Sequence, residues 1–263
     1  MANFKEPYYL VDFDAALCNF EIYINDMPAF KHHRGGSIAS HYPINHFILQ
    51  AGLQNIKITI LPIKGESELR PDGHLKIKVF CYDSSTTNYE DTVEAFKYDT
   101  PDLEKTPLPV INVSSGFSAE VSYDIKGWKN AISFKDVDEH DYASEVISYY
   151  KELYNAFKEE NIGKIHNVMQ NRFEETDISM YLGDADNKRE LENLFNRLNS
   201  EKYELEPFPD SARLEKFGDS KVLNYIRADG NPVIYYKNIS GEEFGYPIFL
   251  QKQQTKDSFE IIR

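Results

Sequence analysis

The sequence predicts two domains of different fold class. The first is an all-β antiparallel sandwich, jelly-roll or Ig-like, and the second is an α+β domain with helices packed on a curved antiparallel sheet. Residues 1–135 contain short runs that alternate between apolar and polar, which is typical of half-buried strands. Beyond them the apolar period changes to that of a helix and later returns to alternation. We therefore place the sandwich at 1–135, a linker at 136–141 and the α+β domain at 142–263.

The strands predicted in the first domain are separated by turn-forming residues. The run from His74 to Asp83 shows the pattern clearly, because Leu75, Ile77, Val79 and Cys81 share one face. The predicted strands are 20–25, 56–61, 74–83, 92–100, 117–125 and 129–134. Short strands with turns between them indicate a sandwich or jelly roll.

The second domain is predicted to open with helices. Val146, Leu153 and Phe157 belong to an apolar stripe with helical period, and Asp138 or Asp141 is a candidate for the N-cap. The segment 161–163 separates this helix from a second one. A third helix is predicted over about 188–199.

The polar residues before the third predicted helix supply its cap. Asp186 or Asn187 is the candidate N-cap. Further strands are predicted at 212–217, 221–228, 232–239, 245–252 and 258–263. Asp229-Gly230 predicts a hairpin that joins two of these strands.

The order of these elements gives the second domain a resemblance to a known family. The helical opening "YYKELYNAFKEENIGKIHNVM" and the closing strands, from Tyr142 to Arg263, resemble the NTF2-like family. The resemblance implies two or three helices packed inside a strongly curved sheet that forms a cone. Enzymatic members of that family often hold an Asp–His or Asp–Arg pair in the cone. His166 has no Asp at a spacing that would mark such a partner, so the resemblance does not extend to catalysis.

The charge of the chain predicts the kind of partner. The formal net charge is −14, made up of −4 in residues 1–135 (13 basic, 17 acidic) and −10 in residues 136–263 (16 basic, 26 acidic). An acidic chain is not expected to bind nucleic acid or an anionic membrane, whereas a basic protein is a suitable partner. The sequence does not predict whether the chain forms homo-oligomers.

The location is predicted from the cysteines and the N-terminal segment. No run of about 18 apolar residues is present, which argues against a membrane span. The first residues lack the apolar core of a signal peptide, so we expect a cytoplasmic protein, or a periplasmic or secreted one if a signal has been removed. Cys18 and Cys81 lie in or beside predicted strands and are interpreted as small core residues rather than a disulfide.

Four of the seven histidines lie between Phe30 and Leu49. A metal site built from His32, His41 and His46 would require the Gly35-Gly36 turn to fold one segment back on the other. Adjacent or odd-spaced residues on one strand face opposite sides, and no acidic residue lies between Asp26 and Glu66. The sequence therefore favours a polar turn, with the histidine metal site as an alternative.

Motifs for covalent or cofactor chemistry are missing from the sequence. There is no G-x-S-x-G, C-x-x-C, Walker A or G-x-G-x-x-G pattern. We therefore predict no catalytic residues and no cofactor.

Aromatic residues beside acidic ones mark a candidate binding surface in the second domain. The candidate binding residues are Tyr235, Glu242, Glu243, Phe244 and Tyr246. They favour a non-catalytic protein-binding protein, such as an acidic immunity-type inhibitor of a basic toxin or enzyme. One alternative is an exported glycan- or small-ligand-binding module, and a second is a metal-dependent enzyme that uses the loop from His32 to His46.

Overall fold

The computed structural model describes residues 4–86, 91–104, 108–183 and 185–263 of the chain. They belong to two compact units. Unit 1 comprises Met1–Ile125 and Ile178–Tyr181, and unit 2 comprises Lys126–Asp177 and Leu182–Arg263. The division falls at residue 125, whereas the sequence placed the domain boundary at residue 135.

Unit 1 is all-β in its described N-terminal residues, as predicted. Its strands are β1 Pro7–Ala16, β2 Asn19–Ile24, β3 Met27–His32, β4 Ser37–Pro43, β5 Gly52–Leu61, β6 His74–Asp83, β7 Val93–Asp99 and β8 Ile111–Ala119. They form two four-stranded sheets, in the orders β4-β1-β6-β7 and β3-β2-β5-β8, and every pairing is antiparallel.

Alternation along the strands builds the core of unit 1. Val11, Phe13 and Ala15 of β1 are buried, while Asp12 and Asp14 between them are exposed. The same parity buries Ile56, Ile58 and Ile60 of β5 and Leu75, Ile77, Val79 and Cys81 of β6. The Phe13 ring lies 4.3 Å from that of Phe30 and 5.4 Å from that of Phe20, measured between centroids, so residues of the two sheets share one apolar core.

Several strand predictions for the first domain need correction. The predicted strand 117–125 corresponds only to the end of β8, which stops at Ala119. The segment 129–134 is not a strand of unit 1. It lies in unit 2, where Ala131 forms an isolated bridge to Gln253 and the Phe134 side chain joins the core. The alternation in this segment predicts that its apolar side chains are buried, but it does not predict the sheet against which they pack.

Three strands of unit 1, β1, β3 and β4, were not predicted. In β1, apolar residues alternate with Asp12 and Asp14. This alternation is a strand signal in the sequence, and the prediction overlooked it. In contrast, β4 is mostly exposed and carries no apolar alternation. Its pairing with β1, in which His41 lies opposite Asp12, is a tertiary feature with no local signal.

Unit 2 contains the helices. They are α1 Ala143–Lys158, α2 Ile162–Val168, α3 Gln170–Ser179 and α4 Asn187–Ser200. The last two residues of α3 are grouped with unit 1. The Asn161 and Asp186 side chains cap α2 and α4, accepting hydrogen bonds from the backbone N–H of Lys164 and Arg189 at 3.0 Å. Asp138 caps a short 3₁₀ turn before α1 instead of α1 itself. None of the helices in the described part of the chain is long and apolar enough to span a membrane.

The strands of unit 2 form two antiparallel sheets. The strands are β9 Tyr203–Leu205, β10 Ala212–Phe217, β11 Val222–Arg227, β12 Ile234–Asn238, β13 Glu243–Tyr246, β14 Leu250–Lys252 and β15 Phe259–Ile261. One sheet has the order β10-β11-β14-β15 and the other β13-β12-β9. Helices and strands share one core, to which Val146, Leu153 and Phe157 contribute from α1.

The predicted hairpin at Asp229-Gly230 is only partly correct. The turn forms, with Gly230 at φ +89° and the Arg227 N–H donating to the carbonyl of Asn231 at 2.9 Å. The flanking strands β11 and β12, however, belong to different sheets, and between them only Ile226 and Pro232 form a bridge. Pro232 has no N–H to donate, so the ladder cannot continue past it.

A buried ion pair in unit 2 gives a test of this architecture. The Arg263 guanidinium is 4% exposed, lies 2.9 Å from the Glu175 carboxylate and covers the Trp128 ring at 5.9 Å. Glu175 also accepts a hydrogen bond from the backbone N–H of Gly127 at 2.8 Å. The pair therefore connects α3 to two other segments of the unit.

We predict that Glu175→Ala lowers the free energy of unfolding by about 3–5 kcal/mol, because it leaves a buried guanidinium without its carboxylate. Glu215→Ala is the matched control. It removes the partner of Arg213, whose side chain is 52% exposed, and should cost at most about 1 kcal/mol. Urea unfolding of both variants measures the difference, and equal losses would contradict a structural role for the Arg263 pair.

Candidate functional site

Helices α1 and α4 end at the same place in unit 2. Glu160 follows α1 at φ +50° and Lys202 follows α4 at φ +56°, so each helix stops in a left-handed residue. The Asn199 side-chain amide donates to both carboxylate oxygens of Glu160 at 3.2 Å and thereby joins the two ends. The C-terminus of a helix carries partial negative charge, so the two dipoles add to the charge of the carboxylates here.

The hairpin formed by β12 and β13 completes this surface. Strand β9 pairs with β12, which places Glu204 opposite Lys237 and Tyr203 opposite Asn238. Strand β13 pairs on the other side, where Glu243 lies opposite Lys237. We name this region the acidic end of unit 2, and its acidic residues are Glu160, Glu201, Glu204, Glu242 and Glu243.

The carboxylates of the acidic end act on nearby tyrosines. Partial burial, followed by the charges of Glu242 and Glu201, raises the pKa of the Tyr203 hydroxyl. Burial and then the charge of Glu160 raise the pKa of Tyr236. These hydroxyl groups stay neutral at physiological pH and can accept a hydrogen bond from a donor.

A small cavity opens between these elements. Its volume is about 270 Å³. The lining comes from the ends of α1 and α4 and from β9 and β12, and it includes Phe157, Glu160, Phe195, Tyr203, Glu204 and Tyr236. Tyr236 is 5% exposed, and its hydroxyl oxygen has no hydrogen-bond partner in the described part of the chain.

The structure separates the five predicted binding residues into three groups: exposed, half-buried and buried. Glu242 and Glu243 are exposed beside the hairpin turn. Phe244 and Tyr246 are half-buried and already covered, because Arg197 lies 5.5 Å from the Phe244 ring and Arg172 lies 4.8 Å from the Tyr246 ring. Most of their aromatic surface therefore stabilises the unit.

Tyr235, the fifth predicted binding residue, is buried. Its side chain is 3% exposed, and burial, followed by the nearby Glu243 carboxylate, raises the pKa of its hydroxyl. Tyr235 and Tyr236 are consecutive, so their side chains face opposite sides of β12. Both side chains are nevertheless buried, because both sides of the strand are covered.

Sequence reasoning missed the most exposed apolar residue of the acidic end. Ile239 is 94% exposed in the turn between β12 and β13. An isoleucine in a turn next to Ser240 and Gly241 has no strand partner to bury it, and this signal was available in the sequence.

The histidines do not form a metal site. His32 belongs to β3 and bonds through its ring to the carbonyl of Gly35 at 2.8 Å. His41 lies in β4, a strand of the other sheet, and the His46 ring lies 3.9 Å from that of Phe47. Among the described residues, no group of three or more His, Cys, Asp or Glu side chains is placed to hold a metal ion. The alternative that uses the histidine loop therefore has no geometric support.

Unit 1 has a larger cavity, of about 450 Å³. Its described lining residues are Phe4, Pro7, Tyr9, Cys81, Val93, Glu94, Ala95, Ser118, Glu120, Val121 and Ser122. Burial raises the pKa of the Cys81 thiol to about 12, so this group is protonated and is a poor nucleophile at neutral pH. The cavity suits binding better than covalent chemistry.

Comparisons with models of protein families, with curated proteins and with solved structures find no match. The resemblance of the second domain to the NTF2-like family stays a prediction.

We predict that metal removal leaves the protein unchanged, because His32 and His46 have separate contacts and His41 lies in a strand of the other sheet. Dialysis against a chelator and addition of Zn²⁺ should each leave the unfolding temperature unaltered. The matched comparison is the His32→Ala variant. A zinc-dependent rise in unfolding temperature that this variant abolishes would contradict the structure.

Proposed function

We propose that this protein is a non-catalytic protein-binding protein that captures a basic partner at the acidic end of unit 2. An immunity-type inhibitor of a basic toxin or enzyme would work in this way. The observation that carries the proposal is that five glutamates, two helix C-termini and an exposed isoleucine lie at the same end of unit 2.

Electrostatics supports capture of a basic partner. Residues 136–263 carry a net charge of −10 (16 basic, 26 acidic), and the acidic end adds the helix dipoles to that field. A surface of one sign raises the rate of association with an oppositely charged protein, and salt weakens the effect. Four basic residues of the same region, Lys158, Arg197, Lys202 and Lys237, offset part of the charge of the five glutamates, and the Lys237 ammonium lies 3.8 Å from Glu243.

Shape supports a protein partner over a small cation. Interfaces combine an apolar centre with a polar rim. Ile239 offers an apolar contact that is almost fully exposed, and Glu242 and Tyr203 stand beside its turn. The cavity offers a recess into which a side chain of the partner can insert.

A cytoplasmic location is part of the proposal. Cys18 and Cys81 are both buried free thiols, and burial raises the pKa of Cys18 to about 11. Free thiols are typical of proteins from a reducing compartment.

We also propose that unit 1 is a β-sandwich domain and that unit 2 is a second domain, similar to the NTF2-like family. The shared core of the two sheets supports the first part, through the contact of Phe13 with Phe20 and Phe30. The common core of helices and strands in unit 2 supports the second.

A second candidate function is binding of a glycan or another small ligand in the cavity of unit 1. Its volume of about 450 Å³ lies within the range of about 300–1,000 Å³ that small-molecule sites occupy. Tyr9 and Val121 supply apolar wall, while Ser118 and Glu120 supply polar groups.

For the proposed function, we predict that Glu201→Lys/Glu242→Lys slows association with the captured partner at least tenfold, because it reverses two charges at the acidic end. The protein is used as bait in its native cell, and captured proteins are identified and re-tested as purified proteins by stopped-flow kinetics. The control is Asp136→Lys/Glu139→Lys, which makes the same charge change before α1. That helix has 16 residues and is about 24 Å long, and the control residues precede its first residue.

The outcome expected is a basic partner that the control binds normally and the test variant binds slowly. Capture of an acidic partner, or equal slowing by both variants, would overturn the proposal.

For the second candidate, we predict that a ligand found by thermal-shift screening of glycans and small metabolites loses its effect in Ala95→Trp, which fills the unit 1 cavity. Ala39→Trp adds the same side chain on exposed β4, outside the cavity lining, and should keep the effect. Equal stabilisation of both variants would place the ligand elsewhere.

A further inference from the structure

We infer that the cavity at the acidic end receives a lysine or arginine side chain of the partner. The inference rests on the proposed function and adds the chemical group that is recognised. It follows from three observations on the cavity: its charge, an unpartnered hydroxyl and its aromatic wall.

The charge of the cavity favours a cation. Glu160 and Glu204 line it, and it opens where α1 and α4 present their negative dipole ends. Lys158 is the basic residue of the lining, and it is exposed in the last turn of α1. Phosphate and carboxylate ligands would meet two carboxylates here, so an anion is disfavoured.

Tyr236 lines the cavity and carries a buried hydroxyl. Its side chain is 95% buried (5% exposed), and its oxygen has no hydrogen-bond partner in the described residues. A buried polar group without a partner costs free energy, and such a group in a native structure calls for an explanation. An ammonium or guanidinium N–H donates to this oxygen and removes the cost.

The aromatic wall suits the rest of the side chain. Phe157, Phe195, Tyr203 and Tyr236 line the cavity. Phe157 and Phe195 are almost fully buried, so the half-buried Tyr203 ring offers the face that attracts a cation and covers the methylene groups of lysine or arginine. The volume of about 270 Å³ lies just below the range of about 300–1,000 Å³ for small-molecule sites, which favours a single side chain over a cofactor.

The test uses the full chain and three small probes. The probes are N-acetyl-lysine methylamide, N-acetyl-arginine methylamide and N-acetyl-norleucine methylamide, the last being a neutral counterpart of lysine. NMR titration should show saturable shifts of the Tyr203 and Tyr236 amides with the two cationic probes. We expect dissociation constants on the order of millimolar, and norleucine should bind at least tenfold more weakly.

Tyr236→Phe removes only the hydroxyl and should weaken binding of the lysine probe at least fivefold. Tyr235→Phe is the matched control, because the neighbouring hydroxyl is also buried but does not line the cavity, and it should leave binding unchanged. Thermal unfolding shows that both variants are folded.

Three results would overturn the inference. These are the absence of saturable shifts at tens of millimolar lysine probe, equal binding of norleucine, and unchanged binding in Tyr236→Phe. A partner that needs Glu201 and Glu242 but binds Tyr236→Phe normally would leave the proposed function standing while refuting the inference. Binding of the lysine probe without any basic partner in the cell would refute the proposed function alone.

Discussion

One hydroxyl group, that of Tyr150, fixes the position of α1 and with it the acidic end. Tyr150 is 1% exposed. It donates a hydrogen bond to the carbonyl of Ile248 at 2.5 Å and accepts one from the backbone N–H of Tyr225 at 3.0 Å. The Asn224 side-chain oxygen lies 3.3 Å away. These contacts tie the middle of α1 to β11 and to the segment that precedes β14, so the helix cannot slide along the sheet without leaving buried polar groups unsatisfied.

The position of α1 determines what its C-terminal turns can contact. Phe157 follows Tyr150 by two turns, about 10 Å along the helix. Its ring lies 5.9 Å from that of Phe195 in α4 and 5.3 Å from that of Tyr246 in β13. Packing at this one residue thus brings both helix ends beside the β12–β13 hairpin. The cavity and the five glutamates form one surface because α1 and α4 end beside the β12–β13 hairpin.

Local pattern in the sequence was sufficient for most individual elements but not for their assembly. Helix α4 and its Asp186 cap, strand β6 and strand β10 follow from periodicity and cap chemistry, which are local. The separation of β11 from β12 depends on Pro232 and on which sheet each strand joins, and only long-range packing decides that.

The candidate site shows the same division between local and long-range features. Exposure of Glu242 and Glu243 was predictable from a polar turn, whereas the burial of Tyr235 and the meeting of Glu160 with Asn199 were not, because they depend on elements distant in sequence.

The central claim is that the acidic end of unit 2 is the surface that meets a basic partner. Hydrogen–deuterium exchange of the protein, free and in complex with its captured partner, tests this claim most directly because it reports on the whole chain at once. The account predicts slower exchange in peptides that cover 157–160, 199–205 and 236–243, the ends of α1 and α4 and the hairpin. Protection confined to unit 1, or to peptides of unit 2 outside these three segments, would contradict it.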